Sequence, residues 1–226
     1  MTIQRGTSSQ GFSVTLPELL LRPGEVAALT GPSGCGKSTL LEMIGLILTP
    51  DHLDVYQLGA CQTDVRALLL KAEQQRLSAL RASQLGFVLQ SGGLLPYLTV
   101  EQNLQLPRRI LGLSLTSALT DEAVGRLSLT PLLKKLPRQL SIGERQRVAF
   151  VRAIAHEPQL LLADEPTAAL DPYNARDLFT LMLQMVKELK LSVLVVSHDW
   201  QLVDNFGIRR LHATSERGAG SVFQPQ

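Results

Sequence analysis

The order of apolar runs and amphipathic stretches predicts an α/β fold with a mostly parallel sheet covered on both faces. Short apolar runs recur at Val26-Ala27-Ala28-Leu29, Leu85-Gly86-Phe87-Val88-Leu89, Leu160-Leu161-Leu162-Ala163 and Ser192-Val193-Leu194-Val195-Val196. Runs of that length without alternation fit strands buried on both faces. Helical patterns separate them, as parallel strands require. Across residues 91–155 Leu, Arg and Gln dominate and β-branched residues thin out, which predicts a helical insertion into the sheet.

Taken in order, residues 12–21 mix alternating and continuous apolar positions and read as strands, followed by the turn signal Pro23-Gly24. Residues 37–48 read as a helix stopped by Thr49-Pro50. A weaker stretch, 51–84, holds an amphipathic helix over 65–82. Thr99-Val100-Glu101-Gln102 has the form of a capping box. Val148, Val151, Ile154 and Ala155 make one helical face of residues 144–156. Asp171-Pro172 is a helix start, with Asp as cap and Pro at the first helical position, and the helix runs to about residue 190. Residues 213–226, rich in Gly and Ser, predict a short disordered tail. No internal repeat is evident.

Composition narrows the class. The 226 residues are 45% hydrophobic and 19% charged, ordinary for a globular protein with a good core. Lys plus Arg is 22 against 20 for Asp plus Glu, net +2, too balanced for a nucleic-acid surface. The first residues have no apolar core of signal-peptide length, and no apolar run approaches the roughly 20 residues that span a bilayer. Cys35 and Cys61 do not make a disulfide framework, so a reduced, cytosolic setting is expected. If the protein acts at a membrane, another chain does the spanning.

Five motifs stand in fixed order along this framework. Gly31-Pro32-Ser33-Gly34-Cys35-Gly36-Lys37-Ser38-Thr39 matches the phosphate-loop pattern, after a strand and at the start of a helix. Its glycines let backbone N–H groups turn inward around phosphates, and the helix adds its positive end. Lys37 should reach the β- and γ-phosphates of ATP, and the Ser38 hydroxyl should ligate Mg²⁺. Asp164 and Glu165 end an apolar strand, on the edge where such sheets bind ligands. Asp164 is expected to hold Mg²⁺ directly or through water, and Glu165 to act as general base on the attacking water. A capping or salt-bridging acidic pair is the plain alternative.

His198 follows the strand 193–196 and falls on the same edge, where it could position the water or sense the γ-phosphate. His52, His156 and His212 are read as structural. Gln90 ends the strand 85–89, where a neutral amide can touch both Mg²⁺ and the water. Leu140-Ser141-Ile142-Gly143-Glu144 by itself is a capped helix start.

With Leu140-Ser141-Ile142-Gly143-Glu144-Arg145-Gln146-Arg147, Ala163-Asp164-Glu165-Pro166-Thr167-Ala168-Ala169-Leu170-Asp171 and Val196-Ser197-His198-Asp199 in place, the chain resembles the nucleotide-binding subunit of ATP-binding cassette (ABC) transporters over residues 10–212. The resemblance implies a P-loop NTPase core with an N-terminal antiparallel β portion and an inserted helical subdomain. A single ATP-binding domain would span 1–226, its catalytic core about 1–90 and 156–226 and its helical subdomain about 91–155. It implies a homodimer packed head to tail around two ATPs, with Ser141, Gly143 and Glu144 reaching the γ-phosphate held by the other copy.

Two departures stand out. Ile142 occupies a position where the family usually has glycine, which predicts slow basal turnover. Phe12 is the one aromatic residue before the phosphate loop, and its reading stays divided between adenine stacking and core.

Phe87-Val88-Leu89-Gln90 and the stretch Leu94-Leu95-Pro96-Tyr97-Leu98-Thr99 are similar to the branch that serves lipoprotein release, macrolide and peptide efflux, and division-site signalling. That implies a membrane permease partner and a peripheral position on the cytoplasmic face of the inner membrane. Leu94, Leu95, Tyr97 and Leu98 form either the docking surface or core. Export or extraction of a lipoprotein, peptide or drug is the leading expectation. Force transmission that regulates an extracytoplasmic process, and a soluble cassette protein, are the others.

Overall fold

The computed structural model describes residues 1–5, 12–198, 200–216 and 220–226, and its architecture follows from alternation along single strands. In β3 (Val26–Thr30), Ala28 joins one apolar cluster while Ala27 and Leu29 join another. In β7 (Leu160–Asp164) and β8 (Ser192–Val196) the division repeats, with Leu161, Ala163, Val193 and Val195 on one side and Leu160, Leu162, Leu194 and Val196 on the other. Successive side chains leave opposite faces of a strand, so both faces must be covered.

One cover is α1 (Lys37–Ile44), α2 (Val65–Leu70) and α3 (Gln74–Gln84). The other is α4 (Val100–Ile110), α5 (Ala118–Arg126), α6 (Ile142–Ile154) and α7 (Pro172–Glu188), with α8 (Trp200–Asn205). The remaining strands are β1 (Thr2–Arg5), β2 (Phe12–Thr15), the short pair β4 (Gln57–Leu58) and β5 (Thr63–Asp64), β6 (Leu85–Val88), β9 (Arg209–Glu216) and β10 (Gly220–Pro225). Among the described residues eight strands form the main sheet in the order β1-β2-β10-β9-β3-β8-β7-β6. From β9 to β6 every pairing is parallel, with Leu29 level with Val196 and Val196 level with Asp164. The antiparallel N-terminal portion is β1 on β2, Ile3 opposite Val14.

Between β6 and β7 the chain is helical throughout the described elements, as the composition shift predicts. Thr99 Oγ1 accepts from the Gln102 N–H (3.2 Å) and Gln102 Oε1 from the Thr99 N–H (2.9 Å), the expected capping box of α4. Asp171 caps α7 by accepting from the Asn174 N–H at 3.1 Å. Beneath α4, Asn103 is wholly buried and bonds Leu95 N, Leu95 O, Leu98 O and Thr99 O, which fixes the preceding loop.

Three expectations are corrected. The helix expected over 65–82 is two helices, because Ala72 turns into the left-handed region at φ 51° between them. The helix expected over 37–48 ends at Ile44 with Gly45 as its cap. The expected disordered tail is largely strand: β9 pairs with β3, and β10 joins β9 to β2. Ala213 and Phe223 from this stretch are buried, as is Leu211 just before it, and burying such side chains contributes about 2 kcal/mol for the larger ones. The short composition bias concealed an alternation whose partners lie at the other end of the chain. Phe12 sits half-buried on β2, packed against the core of the α1 face. Asp199 lies outside the described residues.

Candidate functional site

The phosphate-loop residues leave the carboxyl end of β3 and enter α1. Gly36 caps that helix with φ 91° and no side-chain cap. A Cβ at this position would stand 2.4 Å from Val14 Cγ2, so the turn needs glycine for both its sign of φ and its contact with β2. Lys37 folds back into the loop, where its ammonium donates to Gly31 O (3.0 Å) and Pro32 O (2.9 Å) and lies 3.9 Å from Cys35 Sγ. It is 5% exposed, and among the described residues no carboxylate pairs with it. A buried cation held by two carbonyls and a thiol sulfur, next to a helix start without a side-chain cap, leaves positive charge for an anion to meet.

Ser38 Oγ, one residue into α1, donates to Asp164 Oδ2 at the end of β7 (3.2 Å). Two hard oxygens from neighbouring elements suit Mg²⁺, which in phosphate sites takes few protein ligands and the rest from phosphate and water. No cluster of three or more His, Cys, Asp or Glu residues able to hold a metal exists among the described residues.

Glu165 stands one residue beyond β7 with φ 48°, a left-handed conformation that is uncommon outside glycine and strained by about 1–3 kcal/mol. Its N–H bonds Val196 O at 3.0 Å, which extends the β7–β8 pairing by one step and holds the turn. The carboxylate then meets two of the expected partners: His198 Nε2 lies 2.7 Å from Oε1, and Gln90 Nε2 donates to Oε2 at 3.2 Å. Gln90 thus presents its amide nitrogen to the carboxylate. Four parallel strands, β3, β6, β7 and β8, deliver these groups to one sheet edge, the ligand-binding edge of such folds.

Ser141, Gly143 and Glu144 are not brought to that edge; no hydrogen bond or ion pair among the described residues joins them to the phosphate loop. They start α6, where Ser141 Oγ accepts from the Glu144 N–H (3.2 Å) and Glu144 Oε2 from the Ser141 N–H (2.6 Å). That N–H bond holds the Glu144 carboxyl below the ordinary carboxylate range. Ile142 is 45% exposed beside them. The other histidines have protein partners: His52 beside Asp54, His156 Nε2 on Leu85 O, and His212 Nδ1 beside Thr30 Oγ1.

Two features escaped sequence reasoning. An open cavity of about 320 Å³ borders Glu165 and His198, lined also by Thr167, Ala168, Leu170, Pro172, Ala175 and Ser197. Its signal is the length of chain between the Asp164-Glu165 pair and the α7 cap. Gln146 and Arg152 hold the loop after β6. Reading α6 by its apolar positions alone passed them by.

Comparison with known proteins agrees with this geometry. The ABC transporter family model matches residues 16–168, more than half of the chain. The lipoprotein-releasing system ATP-binding protein LolD of Rhodopseudomonas palustris is 41% identical over 187 residues, covering 82% of this chain and 78% of that protein. The LolD of Nitrobacter hamburgensis is 40% identical over 194 residues, covering 85% and 81%. Among solved structures, the dimeric bacterial ABC transporter cassette MJ0796 superposes with a TM-score of 0.77 at 30% identity, covering 93% of this chain and 90% of that one. A dimeric post-hydrolysis state of the same cassette bound to ADP and Pi gives 0.75. A phosphate loop around a buried lysine, a carboxylate pair on the next strand but one, and relatives of this closeness have one reading: the chain belongs to the ABC transporter family and is an ATPase of that family.

Proposed function

We propose that this ATPase works as a homodimer that drives a membrane permease in the release of lipoproteins from the membrane. The observation that carries the reading is the 41% identity to a lipoprotein-releasing ATPase over 82% of the chain. We assign the whole chain to one ATP-binding domain, with a catalytic core of about 1–90 and 156–226 and a helical subdomain of about 91–155. No helix among the described residues is long and apolar enough to cross a membrane. In this reading a separate permease supplies the span, and the ATPase binds it peripherally on the cytoplasmic face of the inner membrane.

Residues 31–39 cradle the triphosphate, and Lys37 neutralises charge on the β- and γ-phosphates. Ser38, Asp164 and Gln90 would hold Mg²⁺, which would supply neutralisation of phosphate charge when bound. Glu165 takes a proton from the attacking water, and His198, already 2.7 Å from its carboxylate, keeps that group oriented. Ser141, Gly143 and Glu144 meet the γ-phosphate bound by the second copy, where a helix start suits an anion. Tyr97, 73% exposed on the loop that Asn103 fixes, is the contact for the permease. Leu94 packs into the core, so the apolar cluster is divided between the two roles.

Purification of the Glu165→Gln chain, trapped with ATP in its native host and gently solubilised, tests the reading. Co-purification of a polytopic membrane protein with a large external domain is expected. Recovery of soluble partners alone would overturn it.

A further inference from the structure

The loop from Gln90 to Gly93 decides where the Gln90 amide lies, and that amide touches Glu165. A single helix holds the loop. Gln146 Nε2 donates to Gln90 O at 2.7 Å, Arg152 Nη1 to Gly93 O at 2.7 Å and Arg152 Nη2 to Gly92 O at 3.0 Å. Gly92 and Gly93 are both left-handed, at φ 76° and 57°. This turn presents successive carbonyls to one planar guanidinium fork. Gly92 also lies against α6, where a Cβ would be 3.7 Å from Ala149 Cβ and from Arg145 O.

Gln146 is 3% exposed, and its Oε1 is buried without a partner. A buried amide with an unmet acceptor is less stable than an aliphatic side chain of similar size. Stability therefore gives no reason for glutamine here, whereas its one satisfied bond, to the backbone of Gln90, does. The helix that provides both donors is the one whose first turn carries Ser141.

We propose that Gln146 and Arg152 are positioning residues for hydrolysis, a polar tether that fixes Gln90 to α6. A shift of α6, produced at its start where Ser141 lies, then moves the amide beside Glu165 without any change in the phosphate loop. The proposal rests on the role assigned to Gln90 and names what sets that residue's position.

A double-mutant cycle on the full chain tests it, with steady-state ATP hydrolysis, ATP affinity and melting temperature measured for Gln90→Ala, Gln146→Leu and the pair. Gln146→Leu should lower kcat roughly tenfold with ATP affinity and melting temperature at least those of the wild type. Adding it to Gln90→Ala should lower kcat no further. Independent effects that multiply in the double variant would overturn the tether and leave the role of Gln90 intact. A wild-type kcat in Gln90→Ala would overturn both. If Gln146→Leu does not fold, Arg152→Lys, which keeps the charge and loses the fork, decides by the same cycle.

Discussion

The carboxyl edge of the sheet and the start of α6 hold the two groups of site residues in opposite conditions. At the sheet edge, groups from four strands satisfy one another: Lys37 on the loop carbonyls, Ser38 on Asp164, Gln90 and His198 on Glu165. At the start of α6, Ser141 and Glu144 bond each other, and Ile142 stands exposed. The first region is made by tertiary structure and lies within one chain. The second needs only local helix capping, and its Ser141 and Ile142 are exposed. In the proposed dimer the partner's phosphate loop meets them.

The largest separation of the two regions is expected from Glu165→Gln. Turnover should fall by about 10²–10⁴-fold, the usual worth of a general base, while ATP affinity stays near the wild-type value. Hydrolysis assays beside equilibrium binding measure both, and wild-type hydrolysis would remove Glu165 from its assigned role.

A smaller change of opposite sign is expected at the other region. Ile142→Gly should raise basal turnover by opening the approach to Ser141 and Gly143. Its stability penalty is about 0.5 kcal/mol, the helix-propensity difference alone, because the side chain is 45% exposed. A kcat that stays level or falls would show that the isoleucine is no obstruction.

The smallest effect separates the core that supports both regions from either of them. Burial, the largest cause, pushes the His156 pKa below its ordinary 6.5, with the charge of Arg108 adding to the effect. The neutral ring donates from Nε2 to Leu85 O and leaves Nδ1 bare. The unfolded chain therefore binds the proton more readily. Stability from this group is full above pH 6.5 and is lost as the pH falls through the lower folded value. Melting curves should shift downward across that window in the wild type and less in His156→Phe. Equal shifts would locate the acid sensitivity elsewhere.

Much of this was legible in the sequence, and the reasons differ by region. The motif at 31–39 and the apolar runs at 160–163 and 192–196 are local signals of local structure, and both held. The capping boxes at Thr99 and Ser141 are four-residue devices that need no tertiary help. The pairing of β9 with β3, Leu211 level with Leu29, and of β10 with β2, Ser221 level with Val14, was hidden, because Gly and Ser nearby dominate the composition and the partners are distant. Ala72 breaks a helix with no proline or glycine to announce it. At the site, residue types named Gln90, Glu165 and His198, but their contact through one carboxylate depends on the φ of Glu165, which no motif specifies. Gln146 and Arg152 act through backbone carbonyls, and no side-chain pattern reports such bonds.

The most direct measurement of a site shared between two chains is the mass in solution of the Glu165→Gln protein with saturating ATP, by light scattering, with and without the added change Ser141→Arg. Two-chain mass for the single variant and one-chain mass for the double, with ATP still bound to its own phosphate loop, is the expected result. A two-chain mass that survives Ser141→Arg, or a single-chain mass for Glu165→Gln with ATP bound, would contradict it.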